Sequence, residues 1–577
     1  MHEKEEEFSF KSLFIPFTTL KAIHWIIVIG LVVYFNSLFN GYVWDDISYI
    51  LYNPGVKIFN FSSIFGSSLF NIASQYRPLP AFYFSIMYLL FKDTAFFYHF
   101  FSIVTHIVNT VLVFFLLKKF IRFNLSFFLS LIFLVHPMQV ESVAFTAVAG
   151  DRFFFLFGIS ALLIFMQEKL SGKKIITATL FLLLSILSKE TGALFFAICF
   201  LAVFLYKKNR IKTVFGVSIA SALIYAFLRF GIGKIFFEHQ SAIIPISKLS
   251  LLGRLFNFPS IFFYYIKTFF FPVQLVIMQD WVITKIDLPQ FYLPLLIFLL
   301  FLIGLFLLGW YLYKSNKKAY TSFIFFVAWF GLGIFIHSQI FPLDMTVADR
   351  WFYFPMVGLL GMIGLLIQAL NFKRKYIFLA IGILILIIFS IRSIVRNADW
   401  HDDLTLYKHD SRIIDNFLME NNIGWNYQNI QDWKSANKYY KKSVELDPHW
   451  AISLNNLAYS YEILGNKTKA RKYFFKVLDA NDYHPQEYSR DLVFSSWSLL
   501  YFDSPETAKL FIGNSLDKFS ENGYLWEYLA ISEYKLGNKS EAIKDIKMAI
   551  KFGVKEESNK IYKEISSNND IVLPTPH

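Results

Sequence analysis

Eleven apolar runs of helix-spanning length constrain this chain more than any other feature. They lie at about 20–38, 95–117, 125–143, 152–168, 174–188, 191–206, 212–230, 291–313, 319–338, 351–370 and 375–395. The chain reads as a polytopic membrane protein, as its 56% hydrophobic and 20% aromatic content over 577 residues also requires. Short clusters of Lys and Arg set the orientation. KKFIR (118–122), EKLSGKK (168–174), KKNRIK (207–212), KSNKK (314–318) and FKRK (372–375) all fall on one side under alternate crossings, which makes that side cytoplasmic. Two further apolar stretches, about 80–91 and 254–275, would put later clusters on the wrong side if either crossed alone. They are therefore expected as interfacial or re-entrant helices on the outer face, which suits Arg77, Pro78, Arg254, Lys267 and Pro272. The outer face then receives residues 39–94, 136–151, 231–290, 339–350 and everything after about 396. The acidic start MHEKEEEF, with no small-residue cleavage site after it, argues against a removed signal peptide.

Charge divides the chain in two. Residues 1–398 hold 33 Lys and Arg against 16 Asp and Glu, whereas 399–577 hold 22 against 26. Cytoplasmic loops account for the basic excess, so no nucleic-acid partner is implied. The lone Cys199 excludes an intrachain disulfide. After Arg396 a repeat begins. At a period of 34, Gly424, Tyr427, Ala436 and Tyr440 are followed by Ala458, Tyr461, Ala470 and Phe474, and Ala508 and Ala542 recur at the same spacing. Small and large residues at those offsets match a tetratricopeptide helix pair, in which small side chains let helices approach and aromatics fill the gaps. About four repeats fit, with a small insertion between Ala470 and Ala508. The expected fold is all-α: a membrane domain over 1–398 and a tetratricopeptide α-solenoid over 399–577, on the same face as the loop after the first span.

That loop carries VWDD (43–46). Asp45 and Asp46 either cap the short helix that follows or act at a site open to water on one side, where an aspartate takes a proton from an attacking hydroxyl. Other polar groups gather on the same face: His136, Glu141, Asp151 and Arg152 in HPMQVESVAFTAVAGDR (136–152), Lys189 and Glu190 in SKETG (188–192), and Asp344, Asp349 and Arg350 in DMTVADRWFYFP (344–355). With Arg77, Arg229 and Arg254 they bring both signs of charge to one surface. Arginines suit a phosphate, through their bidentate fork, and acids suit a hydroxyl. His106 and Asn109 share a helix face and either line that site or bond between helices. No His or Cys cluster has metal-ligand spacing, and no Walker or GxGxxG loop is present, so neither a metal nor a soluble nucleotide donor is expected.

VWDD, YRPL (76–79), HPMQVESVAFTAVAGDR, SKETG, FPVQLVIMQDW (271–281), DRWFYFP (349–355) and Trp400, in this order and followed by repeats, resemble the GT-C glycosyltransferases that use polyprenyl-phosphate sugars. Among these, the chain is most similar to the transmembrane and tetratricopeptide-repeat (TMTC-like) O-mannosyltransferases. The resemblance implies transfer of a hexose such as mannose from a polyprenyl-phosphate donor to a hydroxyl of a protein, with inversion and without a metal or other cofactor. It further implies Asp45 as general base, with Asp46 orienting it or binding the acceptor. Arg350, with Arg77 or Arg152, would offset the phosphate charge, and His136, Glu141, Lys189 and Glu190 would shape the sugar or acceptor pocket. The expected partners are the lipid-linked sugar, membrane lipid and a protein or peptide segment held by the repeats. Animal members carry longer repeat arrays, so their acceptors are not carried over. A transferase acting on a lipid or envelope glycan and a non-catalytic membrane scaffold are the alternatives, whereas charges gathered on one face disfavour a transporter. Composition suits a bacterial inner membrane with periplasmic repeats. An endoplasmic reticulum membrane with luminal repeats is the other placement.

Overall fold

A computed structural model describes residues 17–66, 75–236, 244–370, 375–480 and 485–573. The acidic start and most of the FKRK cluster lie outside these residues. Among the described residues the regular elements are all helices, with one isolated antiparallel bridge between Gln279 and Val347. It divides into two compact units, with the main break after Leu406.

In the first unit, eight helices are long and apolar enough to cross a bilayer: Thr19–Phe39, Ala95–Leu117, Thr146–Phe165, Lys208–Ile232, Leu288–Ser315, Lys317–Ile336, Asp349–Leu370 and Leu379–Asp399. The other three expected runs lie on shorter helices, Phe123–Val135, Gly172–Ser188 and Leu194–Tyr206, so eight of the expected eleven crossings have a helix of spanning length among the described residues. The run expected over 125–143 breaks because Pro137 disfavours helical backbone in the residue before it. His136 is extended accordingly (ψ 128°), and a short helix, Gln139–Ala144, follows. Of the two stretches expected as interfacial or re-entrant helices, one forms the helix Pro78–Phe91 and the other the helix Leu251–Phe270, and neither is among the eight. Leu288–Ser315 leaves Leu296, Leu299, Leu300, Ile303, Phe306 and Leu307 exposed, a surface suited to acyl chains rather than water.

The early end of Phe123–Val135 leaves its last carbonyls without helical partners, and buried side chains take them up. Leu134 O accepts from Tyr34 Oη and from His106 Nε2, both at 3.0 Å. A carbonyl can only accept, so His106 carries its proton on Nε2 and its Nδ1 accepts from Tyr353 Oη at 2.9 Å. Asn109 Nδ2 donates to the same hydroxyl and to Arg152 O, each at 3.0 Å. His106 and Asn109 therefore bond between helices. Gly358 lets two helices touch: a Cβ there would stand 2.5 Å from Phe330 N and 2.8 Å from Phe326 O, so no side chain fits without moving backbone.

The second unit is a run of helix pairs: Phe417–Asn429 with Trp433–Leu446, Ala451–Ile463 with Lys467–Lys476, Pro485–Phe502 with Pro505–Leu516, and Gly523–Lys535 with Lys539–Lys551, closed by Glu556–Ser566. The repeat positions read from sequence form its core. Ala436, Tyr440, Ala458, Ala470, Phe474, Ala508 and Ala542 are all buried, and a Cβ on Gly424 would meet the Tyr440 ring at 2.6 Å. The third pair opens with an 18-residue helix, which accommodates the longer spacing there. The turns inside the second and fourth pairs use Gly465 (φ 78°) and Gly537 (φ 83°), but the first pair puts Gln431 at φ 61°. Replacing Gln431 with Gly removes a left-handed side-chain penalty, so the variant is expected to gain about 1 kcal/mol, read as a higher melting temperature of the repeat transition.

Candidate active site

Trp44, with φ 53°, turns the chain sharply between the first membrane helix and the acid pair. Its indole stacks on Phe145, with centroids 5.1 Å apart and planes 7° off parallel, so the two acids emerge in fixed and different directions. Asp46 points inward and is fully buried. Its Oδ1 accepts from the Ala147 amide at 2.5 Å and its Oδ2 from the Val43 amide at 3.3 Å, pinning the loop to the start of the Thr146–Phe165 helix. Asp45 is only half-buried, and its carboxylate has no hydrogen bond or ion pair with any described residue. Burial pushes its pKa up to about 7, opposed by the positive charge of Arg350 and reinforced by Asp344 and Asp403.

Arg350 faces this carboxylate from the start of the Asp349–Leu370 span. Its guanidinium pairs with Glu141, its amide donates to the other Glu141 oxygen at 3.0 Å, and both side chains are nearly buried. Trp44, Phe145 and Trp351 surround the cation at 5.8, 6.0 and 5.9 Å, which fixes its plane. Arg77 donates from Nε to Glu190 at 2.9 Å, and its terminal nitrogens meet no acceptor among the described residues. Arg229 approaches the other Glu190 oxygen at 3.8 Å. Lys189 grips both oxygens of Asp151, at 2.7 and 2.9 Å. These pairs form one cluster, because Tyr49 lies within electrostatic range of Asp45, Arg77, Asp344 and Arg350 together, and Lys189 within range of Arg77 and Arg350. This cluster offers one carboxylate without a partner among the described residues, beside the Arg77 guanidinium with donors to spare.

The structure thus brings Asp45, Arg77, Glu141, Lys189, Glu190 and Arg350 together. It does not bring His136 or Arg152 with them. His136 Nε2 donates to Phe269 O at 2.9 Å, its ring stacks on Phe269, and it is sealed from the cluster. Arg152 is fully buried, and its guanidinium donates to Ser142 O, Phe145 O and Ser102 Oγ, leaving it a helix tie rather than a surface cation. Asp46 is equally occupied. Sequence reasoning passed over Trp44, Tyr49 and His337, whose ring stacks on Trp351 beside Arg350. Trp44 stood in the VWDD string, but nothing in a sequence marks a left-handed tryptophan. Two strings noted in the sequence pair with each other, the Thr346 amide donating to Gln279 O at 2.8 Å, and Tyr264 of the Leu251–Phe270 helix donates from Oη to Asp349 at 2.5 Å. Among the described residues, no group of three or more His, Cys, Asp or Glu side chains could hold a metal ion.

A helical membrane unit with a polar cluster at its helix ends, followed by helix-pair repeats, defines a membrane protein of the transmembrane-and-repeat class. The tetratricopeptide repeat family model matches residues 421–449 and 451–484. The chain is 26% identical over 451 residues to "Protein O-mannosyl-transferase F38B6.6" of Caenorhabditis elegans, covering 74% of this chain and 62% of that protein. It is 25% identical over 514 residues to "Protein O-mannosyl-transferase TMTC3" of Homo sapiens, covering 78% and 54%. The chain spans between about half and three fifths of the length of these curated relatives. Its similarity to these TMTC-like proteins runs at 24–26% identity. Among solved structures, "Crystal structure of MamA protein" aligns at a TM-score of 0.23 and 15% identity over 30% of this chain and 87% of that chain, too low a score to define a common fold.

Proposed function

We propose that the chain is a membrane glycosyltransferase of GT-C type that moves a hexose, mannose by similarity to its relatives, from a polyprenyl-phosphate donor to a hydroxyl of a protein. The observation that carries this reading is Asp45: a half-buried carboxylate with no donor on it among the described residues, held near neutrality and facing Arg350. In the reaction the acceptor oxygen attacks the anomeric carbon from the face opposite the phosphate. The carbon–oxygen bond to phosphate breaks, the hydroxyl proton passes to Asp45, and the sugar carbon inverts. Arg350 and the terminal nitrogens of Arg77 offset the charge left on the polyprenyl phosphate. Glu141 and Glu190 hold those arginines in place, and Lys189 with Asp151 closes the pocket beside them. We place this site on the face opposite the Lys and Arg clusters, in the periplasm or an equivalent lumen, with the repeats supplying a surface for an extended acceptor segment.

The test compares glycopeptides from cells with and without the protein by mass spectrometry. Hexose on Ser or Thr that disappears with the gene product is the expected result. Hexose lost instead from a lipid or envelope glycan assigns that class of acceptor, and no change in any glycan leaves the protein a scaffold.

A further inference from the structure

Four hydrogen bonds lace the end of the first membrane helix and the loop after it to the end of the last membrane helix and the residues that follow. Asn36 Nδ2 donates to Ile394 O at 2.9 Å, Asn40 Nδ2 to Asn397 O at 2.9 Å, the Gly41 amide to His401 O at 2.8 Å and the Trp44 amide to Asp403 Oδ1 at 2.6 Å. The ladder ends on the residue that precedes Asp45. Trp44 holds a backbone conformation that side-chain-bearing residues rarely adopt, and such a conformation persists only where its surroundings over-determine it. Asp403 is not needed to cap its own helix, Asp403–Asp410. Asp402 does so, accepting from the Thr405 amide at 2.8 Å and from its hydroxyl at 3.0 Å. The Trp44 ring is held as well: it stacks on Phe145, which lies between the Gln139–Ala144 helix and the Thr146–Phe165 span and itself packs against Trp400 at 5.7 Å.

We propose that Asp403 is a positioning residue for Asp45: by accepting the Trp44 amide it holds the left-handed turn that aims the Asp45 carboxylate into the arginine-lined pocket. The proposal rests on the reading of Asp45 as the base. It makes the stretch after the last span a part of the catalytic apparatus, although it touches no reacting atom. Asp403 also acts through its charge. The groups facing Asp45 are Arg350, which draws its proton affinity down, Asp344 and Asp403, which raise it, and Tyr49. Removing the Asp403 charge therefore lets Asp45 ionise at lower pH.

The experiment measures transfer of radiolabelled mannose from undecaprenyl-phosphate mannose into precipitable protein, using membranes that hold the full-length chain, across the neutral pH range. Asp403→Ala is expected to lower kcat by about a hundredfold with KM for the donor unchanged, as a misaimed base would. Asp403→Asn keeps an amide oxygen that accepts from Trp44, so it is expected to recover most of that rate while its acid limb moves to lower pH. Equal losses in the two variants, or an unmoved acid limb in Asp403→Asn, overturn the proposal. A structure of Asp403→Ala provides a readout independent of turnover: Trp44 leaves the left-handed region and the Asp45 carboxylate shifts. Asp45→Asn separates the two readings. Full turnover by that variant overturns Asp45 as base and not its placement, whereas an Asp403→Ala structure with Trp44 and Asp45 unmoved overturns the placement whatever Asp45→Asn does.

Discussion

Asp45→Asn is expected to lower kcat by about a thousandfold while raising the melting temperature of the purified protein. The first half follows from general base catalysis, which contributes about 10²–10⁴-fold when the base is positioned. The second follows from linkage. Burial raises the carboxyl of Asp45 to about 7, against about 3.9 in an unfolded chain, so the native state holds the proton more tightly. Stability from this group therefore falls as pH rises from about 4 to about 7 and stays low above it, and a neutral Asn removes that penalty. For the wild-type chain the same number sets the rate: kcat rises with pH through about 7 as the base is freed. Asp46→Ala should behave in the opposite way. It strands the amides of Ala147 and Val43 in a buried place, at a cost of about 1–3 kcal/mol each, and the melting temperature falls. If Asp45 merely capped a helix, Asp45→Asn would leave both stability and turnover nearly unchanged, because Asn caps about as well as Asp. Thermal unfolding and a pH–rate profile, measured together, distinguish the two.

Arg350→Ala is expected to cost about 3–5 kcal/mol of stability and about 10²–10³-fold in transfer. The stability loss arises because Glu141 is nearly buried and would be left without its ion-pair partner. The rate loss arises because the departing phosphate loses a fixed donor. Arg350→Lys separates these effects. A lysine restores a positive charge near Glu141 but not the planar fork held between Trp44, Phe145 and Trp351, so stability returns more fully than transfer. Equal recovery of both would show that charge alone matters at this position. Melting curves and donor turnover on the two variants provide the comparison.

Much of the fold was legible because it depends on local pattern. Apolar length marks helices that need lipid, and the period of 34 marks helix pairs that share a core, so the positions of Ala436, Tyr440, Ala470 and Phe474 could be read directly. Span length was less legible where a proline interrupts an apolar run. Pro137 cut the expected helix over 125–143 at Val135, because hydropathy registers greasiness and not backbone geometry.

The candidate site was legible as a set of residue types and not as a set of roles. Asp45 and Asp46 are adjacent and chemically identical, and the sequence by itself determined only that a carboxylate pair stands outside the first apolar run. Tertiary structure decided which of them is available: the Trp44 turn sends Asp46 into the amides of Val43 and Ala147 and leaves Asp45 open beside Arg350. The arginines divide for the same reason. Arg77 and Arg350 reach the pocket because Glu190 and Glu141 hold them there, while Arg152 meets carbonyls freed where the Gln139–Ala144 helix ends. Helix-forming patterns lie within a few residues of one another in the chain, so sequence displays them. The partners of a buried charge lie tens or hundreds of residues away, and only folding shows which donor reaches which acceptor.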